Sequence, residues 1–150
     1  MKLNLRSERF AAFKEKCRAH HLKITPQRMA IYQALLEAEG HPTAEDMFNA
    51  VRDEFPNISF DTVYRTLVTF SEIGLTDIVA GHGTPRRFDT NPENHHHFYC
   101  IGCGRILDFE SEAMDQIRIP AEIDQKYRIL SKRMILKGYC DKCSAQQKKS

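Results

Sequence analysis

Apolar residues recur at helical spacing through the first half of the chain and at strand spacing through much of the second. Ser7 can cap a helix that carries Phe10, Phe13 and Cys17 on one stripe. Thr25-Pro26 opens a second helix, with proline at the first helical position where its missing N–H has no partner to lose. Met29, Tyr32, Leu35 and Leu36 form its expected buried face, up to Gly40. Thr43 followed by Asp46 starts a third helix through Met47, Phe48, Val51 and Phe55, stopped by Pro56. A fourth runs from near Ser59 to Gly74, with Val63, Leu67, Phe70 and Ile73 turned inward.

The other face of that fourth helix reads Asp61, Tyr64, Arg65, Val68 and Thr69. It is polar and aromatic rather than a row of solvating Lys and Glu, and it suits insertion into a major groove. Thr76 to Ala80 and Arg86 to Asp89 read as short strands around the glycine-rich turn Gly81 to Pro85. Helices followed by such a hairpin make a winged helix. Asn91-Pro92-Glu93-Asn94 breaks structure and predicts a hinge. Beyond it, His97 to Cys100, Arg105 to Phe109 and Arg128 to Lys137 read as strands. Ser111 to Tyr127 is a helical stretch that Pro120 kinks or ends near Ile119. The fold class is α+β: a winged-helix domain at 1–88, a hinge at 89–94, a small α/β domain at 95–143 and a frayed tail at 144–150.

With 150 residues and 41% hydrophobic composition the chain has enough apolar material for one domain or two small ones. A small sheet with one helix is thin as a monomer, so its open edge or face is expected to bury against a second copy. The net charge of +2 does not by itself announce nucleic-acid binding, so the grouping of Arg28, Arg65, Arg86 and Arg87 carries that argument. The opening MKLNLRSERF has no apolar stretch of signal-peptide length and no segment approaches a membrane span, which predicts a cytoplasmic protein. Cys17 reads as a core residue.

The chemistry concentrates in Cys100/Cys103 and Cys140/Cys143, two CxxC knuckles that together supply the ligands of a closed tetrahedral zinc site. Zinc held by four thiolates is coordinatively complete. The neighbouring run His95-His96-His97 therefore marks either a second metal or an exposed polar stretch. On a strand His95 and His97 share a face, and His96 is the expected bystander.

Thr25-Pro26-Gln27-Arg28, His41-Pro42-Thr43-Ala44-Glu45, Ile58-Ser59 through Thr62-Val63-Tyr64-Arg65-Thr66-Leu67, Arg87-Phe88-Asp89, His95 to Cys103 and Gly138 to Cys143 resemble, in order, the ferric uptake regulator family of metal-dependent repressors. The resemblance implies a homodimer on operator DNA, with structural Zn2+ on the four cysteines and regulatory Fe2+ or Mn2+ on His41, Asp89, His95, His97 and Asp108. Imidazole and carboxylate without thiolate suit those borderline ions independently.

Within the family, Asp108 and Asp89 resemble the peroxide-responsive branch, where iron-responsive relatives tend to carry glutamate at the position of Asp108. That implies release by hydrogen peroxide through oxidation of His41 or His95. Ser131-Lys132-Arg133 offers no histidine for the further site that some relatives have. Arg65, closer to iron-responsive members, can donate two bonds to guanine O6 and N7. Tyr64 is expected beside it on base edges, with Thr62, Arg28, Arg86 and Arg87 on phosphates. The competing readings are an iron-, zinc- or manganese-responsive repressor without oxidation chemistry, a zinc-dependent hydrolase, and a zinc-ribbon module that binds no DNA.

Overall fold

Most local signals in the first half are met in the computed structural model, which describes residues 2–79, 85–91, 93–129 and 132–147, and side chains from Leu5 onward. The chain divides into two compact units, Met1–Asn91 and Pro92–Ser150.

The first unit holds α1 (Lys2–Ala19), α2 (Pro26–Glu37), α3 (Ala44–Val51), α4 (Phe60–Glu72), β1 (Asp77–Val79) and β2 (Arg87–Asp89). Thr25 and Ser59 each accept a backbone N–H at the start of α2 and α4, and Thr43 with Asp46 closes a reciprocal capping box on α3. Gly74, at φ 81°, ends α4 in the left-handed region that a glycine enters without a Cβ clash.

Two helix boundaries and one buried position differ from the sequence reading. The first helix runs from Lys2, so Ser7 lies inside it, and Arg6 Nη2 reaches Glu37 Oε1 at 2.7 Å, tying the extra turn to α2. The third stops at Val51, leaving Phe55 in the turn behind it but still packed on the core. Ile31, not Met29, is buried on α2, because Met29 lies on the exposed side of the stripe.

The core of this unit is aromatic. Phe13 stacks on Tyr32 at 4.4 Å, and Phe70 meets both rings edge-on at 5.7 and 6.0 Å. Cys17, Ile31, Val63, Leu67 and Phe88 close around them without solvent exposure. Each such side chain contributes about 1.5–3 kcal/mol of burial. Burial also raises the Cys17 thiol pKa, as expected of a packed rather than reactive cysteine. The hairpin pairs β1 with β2 antiparallel, Ile78 opposite Phe88. Of its expected turn, Gly81 to Thr84 lie outside the described residues.

The second unit holds β3 (His96–Cys100), β4 (Ile106–Phe109), α5 (Glu112–Asp115), α6 (Ala121–Asp124), β5 (Ile135–Gly138) and α7 (Asp141–Gln147). Its sheet order is β4-β3-β5, antiparallel on one side of β3 and parallel on the other. Pro120 splits the expected helix in two, but the first half already ends at Asp115. The last strand covers only 135–138 of the expected 128–137, and Leu130 and Ser131 lie outside the described residues. The segment expected to fray continues helically to Gln147.

Among the described residues, this unit's buried side chains are His95, His96, His97, Tyr99, Cys100 and Cys140. Ile101, Leu107, Ile117, Ile123, Tyr127, Ile129, Ile135, Leu136 and Tyr139 are exposed instead. No described helix in either unit is long and apolar enough to cross a membrane.

Candidate metal centres and nucleic-acid interface

The four paired cysteines converge because β3 and β5 run side by side in the same direction. Cys100 lies opposite Gly138, and the Ile101 N–H donates to the Gly138 carbonyl at 2.8 Å, so each knuckle leaves the sheet at the same end. The sulfurs of Cys100, Cys103, Cys140 and Cys143 all lie within 4.8 Å of one another, with Cys103 and Cys140 at 3.9 Å. A tetrahedron with metal–sulfur bonds of about 2.3 Å has edges of about 3.8 Å, so the cluster fits zinc. Gly102 makes room for it: a Cβ there would meet Cys143 Cβ and Sγ at 3.0 Å. The Cys140 N–H donates to Cys100 Sγ at 3.2 Å and brings that thiol down to about 6, whereas hydrogen bonding to Cys140 and Cys100 pushes Cys143 up to about 12. A thiolate is thus already favoured at one corner.

The histidine-carboxylate residues form a set in each unit. In the first unit, the loop bearing His41 is laced to β2. The Phe88 N–H donates to the Pro42 carbonyl at 2.9 Å, Thr43 bridges to Arg87, and Arg87 Nη1 donates to the His41 carbonyl at 3.0 Å. This lacing leaves buried His41 Nε2 3.8 Å from Asp89 Oδ2. Asp89 is fixed in turn by the Asn91 N–H on Oδ1 at 2.9 Å and the Thr76 hydroxyl on its carbonyl at 2.7 Å.

In the second unit, His97 pairs across the sheet with Asp108, Nδ1 to Oδ1 at 2.9 Å. His95 lies beside it, ring centroids 4.8 Å apart, with Nε2 4.0 Å from the same oxygen. His95 Nδ1 donates to the Glu93 carbonyl at 2.6 Å, which sets the tautomer and leaves Nε2 as the lone-pair nitrogen.

His96 points away from His95 and His97 and has partners of its own. It is fully buried, its Nδ1 accepts the Met134 N–H at 3.0 Å, and its Nε2 donates to Asp115 Oδ1 at 2.7 Å. Lys132 Nζ donates to the backbone carbonyls of Asp115 and Ile117. The sequence reading missed Asp115 and assigned Lys132 no role. Strand alternation signals only that His96 occupies the face opposite His95 and His97, not which residue meets it there.

The candidate nucleic-acid face lies on the first unit. Asp61, Thr62 and Arg65 of α4 are exposed, Tyr64 is half-buried, and Arg86 Nη1 donates to the Tyr64 hydroxyl at 3.3 Å. Two of the expected phosphate contacts already have local bonds: Arg28 Nη1 donates to the Lys23 carbonyl at 2.6 Å, and Arg87 holds His41 as described.

Comparison with known proteins places these features in one family. The sequence model of the Ferric uptake regulator family matches residues 19–137. The chain is 35% identical over 125 residues to the peroxide-responsive repressor PerR of Staphylococcus epidermidis, with 83% of each covered. Among solved structures, the ferric uptake regulator Fur of Helicobacter pylori, which has three functional metal binding sites, matches with a TM-score of 0.74 at 20% identity, over 92% of this chain and 93% of that one. PerR from Streptococcus pyogenes matches with a TM-score of 0.51 at 27% identity, over 88% and 90%. The hydrolase and DNA-free zinc-ribbon readings fall with these matches. The chain belongs to the ferric uptake regulator family and is a metal-responsive transcriptional repressor, not an enzyme.

Proposed function

We propose that this repressor holds a regulatory Fe(II) or Mn(II) on His41, Asp89, His95, His97 and Asp108 and senses hydrogen peroxide through the iron form, while zinc on Cys100, Cys103, Cys140 and Cys143 is structural. The observation that carries this reading is a sulfur-free pairing of buried imidazole with aspartate in each unit, His41 with Asp89 and His97 with Asp108. Nitrogen and carboxylate donors favour Fe(II) and Mn(II), whereas the thiolate set favours zinc, so the two ions sort by chemistry. The similarity to a peroxide-responsive repressor supports the same branch.

One ion drawing donors from both units favours a single arrangement of the dimer, the one matched to the half-sites of a palindromic operator. A preference of about 100-fold for that arrangement supplies about 2.7 kcal/mol of bias. Bound Fe(II) would promote cleavage of the peroxide O–O bond beside the ligand imidazoles, one oxygen ending on an imidazole carbon and the other leaving as water. Oxygen added to His41 or His95 removes a nitrogen donor and with it the bias, and the operator is released. The nine large apolar side chains exposed among the described residues of the small second unit support a homodimer, in which they would be buried against a second copy. On DNA, α4 brings Tyr64 and Arg65 to base edges, with Thr62, Arg28, Arg86 and Arg87 near phosphates.

The test is mass spectrometry of the Fe(II)- and Mn(II)-loaded protein after peroxide. Added oxygen on His41 or His95 in the iron form alone is expected. Its absence there would leave an iron-responsive repressor without oxidative sensing, a reading that Arg65 in α4 favours.

A further inference from the structure

The outward face of α4 carries a charge that none of the DNA contacts proposed above uses. Asp61 stands one turn before Arg65, and its Oδ2 lies 3.0 Å from Arg65 Nε, the two side chains being 67% and 78% exposed. An exposed ion pair at this spacing adds little to the helix. A carboxylate on a surface that approaches phosphates weakens association by repulsion. A carboxylate in the first turn of α4 also suits the helix dipole, but any acid in that turn would supply this. What is particular to Asp61 is its place one turn before Arg65, where its charge acts on that side chain.

A guanidinium offers five N–H donors on a rigid planar fork. Guanine takes two of them, on O6 and N7, and so does a phosphate, which many rotamers of a long exposed arginine can reach. A carboxylate 3.0 Å from Nε attracts that edge of the guanidinium, restricts those rotamers and leaves the two terminal nitrogens as the free end of the fork. It also puts a negative charge where a phosphate would have to come to take the arginine away. The neighbours of Arg65 on this face are ordered as well. Phe60 and Tyr64 stack with ring centroids 6.4 Å apart and an interplanar angle of 19°, and the Tyr64 hydroxyl takes Arg86.

We propose that Asp61 is a specificity-determining residue: it tethers Arg65 by Nε, presents the terminal nitrogens to a guanine, and keeps the same arginine off the phosphate backbone. This rests on the reading that α4 enters a major groove. Removing Asp61 should therefore lower discrimination between bases without lowering affinity for DNA in general.

The experiment uses the full chain loaded with Mn(II) and a duplex recovered by selection from a randomised DNA pool. Dissociation constants are measured for that duplex, for its single-base-pair variants and for random-sequence DNA, with wild type, Asp61→Ala, Asp61→Asn, Arg65→Ala and the Asp61→Ala/Arg65→Ala double variant. At the base pair whose discrimination Arg65→Ala abolishes, both Asp61 variants should lose about tenfold of the preference for guanine. They should bind random-sequence DNA as tightly as wild type or more so, and the double variant should discriminate no worse than Arg65→Ala alone. Asp61 variants that keep the wild-type preference, or that weaken all duplexes equally, overturn the proposal while leaving the DNA reading intact. A wild type that selects no sequence, or an Arg65→Ala that changes no preference, overturns the DNA reading itself.

Discussion

His97 and Asp108 face one another across β3 and β4 as register partners, with Nδ1 2.9 Å from Oδ1. Ladder pairing, not a loop, thus sets two of the proposed regulatory ligands, and their separation cannot drift without breaking the sheet. Asp108→Ala should lower Mn(II) affinity by at least about tenfold while zinc content stays unchanged. Calorimetric Mn(II) titration alongside elemental analysis reads both, and parallel loss of zinc would show that the substitution had unfolded the unit instead.

Arg87 is expected to behave as a support for the metal site more than as a phosphate contact, because its guanidinium holds the His41 carbonyl. Arg87→Ala should weaken Mn(II) binding by about tenfold or more without removing any ligand. Arg86→Ala, which loses the Tyr64 contact, should leave Mn(II) binding untouched and affect DNA only. Equal metal affinities in the two variants would rule out the distinction.

His96, Asp115 and Lys132 form a polar cluster satisfied by protein groups alone. His96→Leu strands the Met134 N–H and the Asp115 carboxylate, for a loss of about 1–3 kcal/mol measured by denaturant unfolding of the zinc-loaded chain. With an ammonium already bonded beside this carboxylate, saturated protein is expected to hold two ions per protomer, one zinc and one regulatory. A third ion found by elemental analysis after gel filtration would contradict this.

Zinc uptake should depend on pH in a defined direction. Cys143, pushed up to about 12, is protonated at neutral pH, whereas Cys100, brought down to about 6, is a thiolate. Loading must displace the Cys143 proton, so zinc affinity rises with pH and binding at pH 7 releases protons. Below about 6 a further proton competes at Cys100 and the dependence steepens. The sign for the metal-free fold follows the same pair. The lowered Cys100 pKa contributes stability that is present above the unfolded value of about 9 and fades as pH falls towards 6. The raised Cys143 pKa contributes stability below about 9 that is lost as pH climbs towards 12. Stripped protein should therefore be most stable near pH 9 and unfold more easily on either side of it, as followed by circular dichroism.

Caps and stripes carried most of the first unit: Thr25, Thr43 and Ser59 start helices where their side chains can accept a backbone N–H, and Val63, Leu67 and Phe70 fall on the buried face of α4. What escaped the reading there depended on distant chain. The extra turn of α1 is held by Glu37, and Ile31 took the place of Met29 because the packed aromatic ring set decides which edge of the stripe is covered. In the second unit the cysteine spacing was legible, since two sulfurs per short loop leave few alternatives. Asp115 was not. Its partner lies 19 positions away on the far face of β3, and neither periodicity nor a motif links the two.

The parallel pairing of β3 with β5 also has a consequence in time. The first knuckle closes locally, where β3 turns back into β4, but Cys140 lies 40 positions from Cys100 and arrives only after the intervening segment has looped round and docked. Closing a long loop to make a parallel pair is among the slower events in folding. Until it happens, Cys100 and Cys103 are two neighbouring thiols with no ion wrapped between them, which is when a cysteine pair is most open to oxidation. For a protein proposed to live with peroxide, the hazardous interval is then its own assembly rather than its working life.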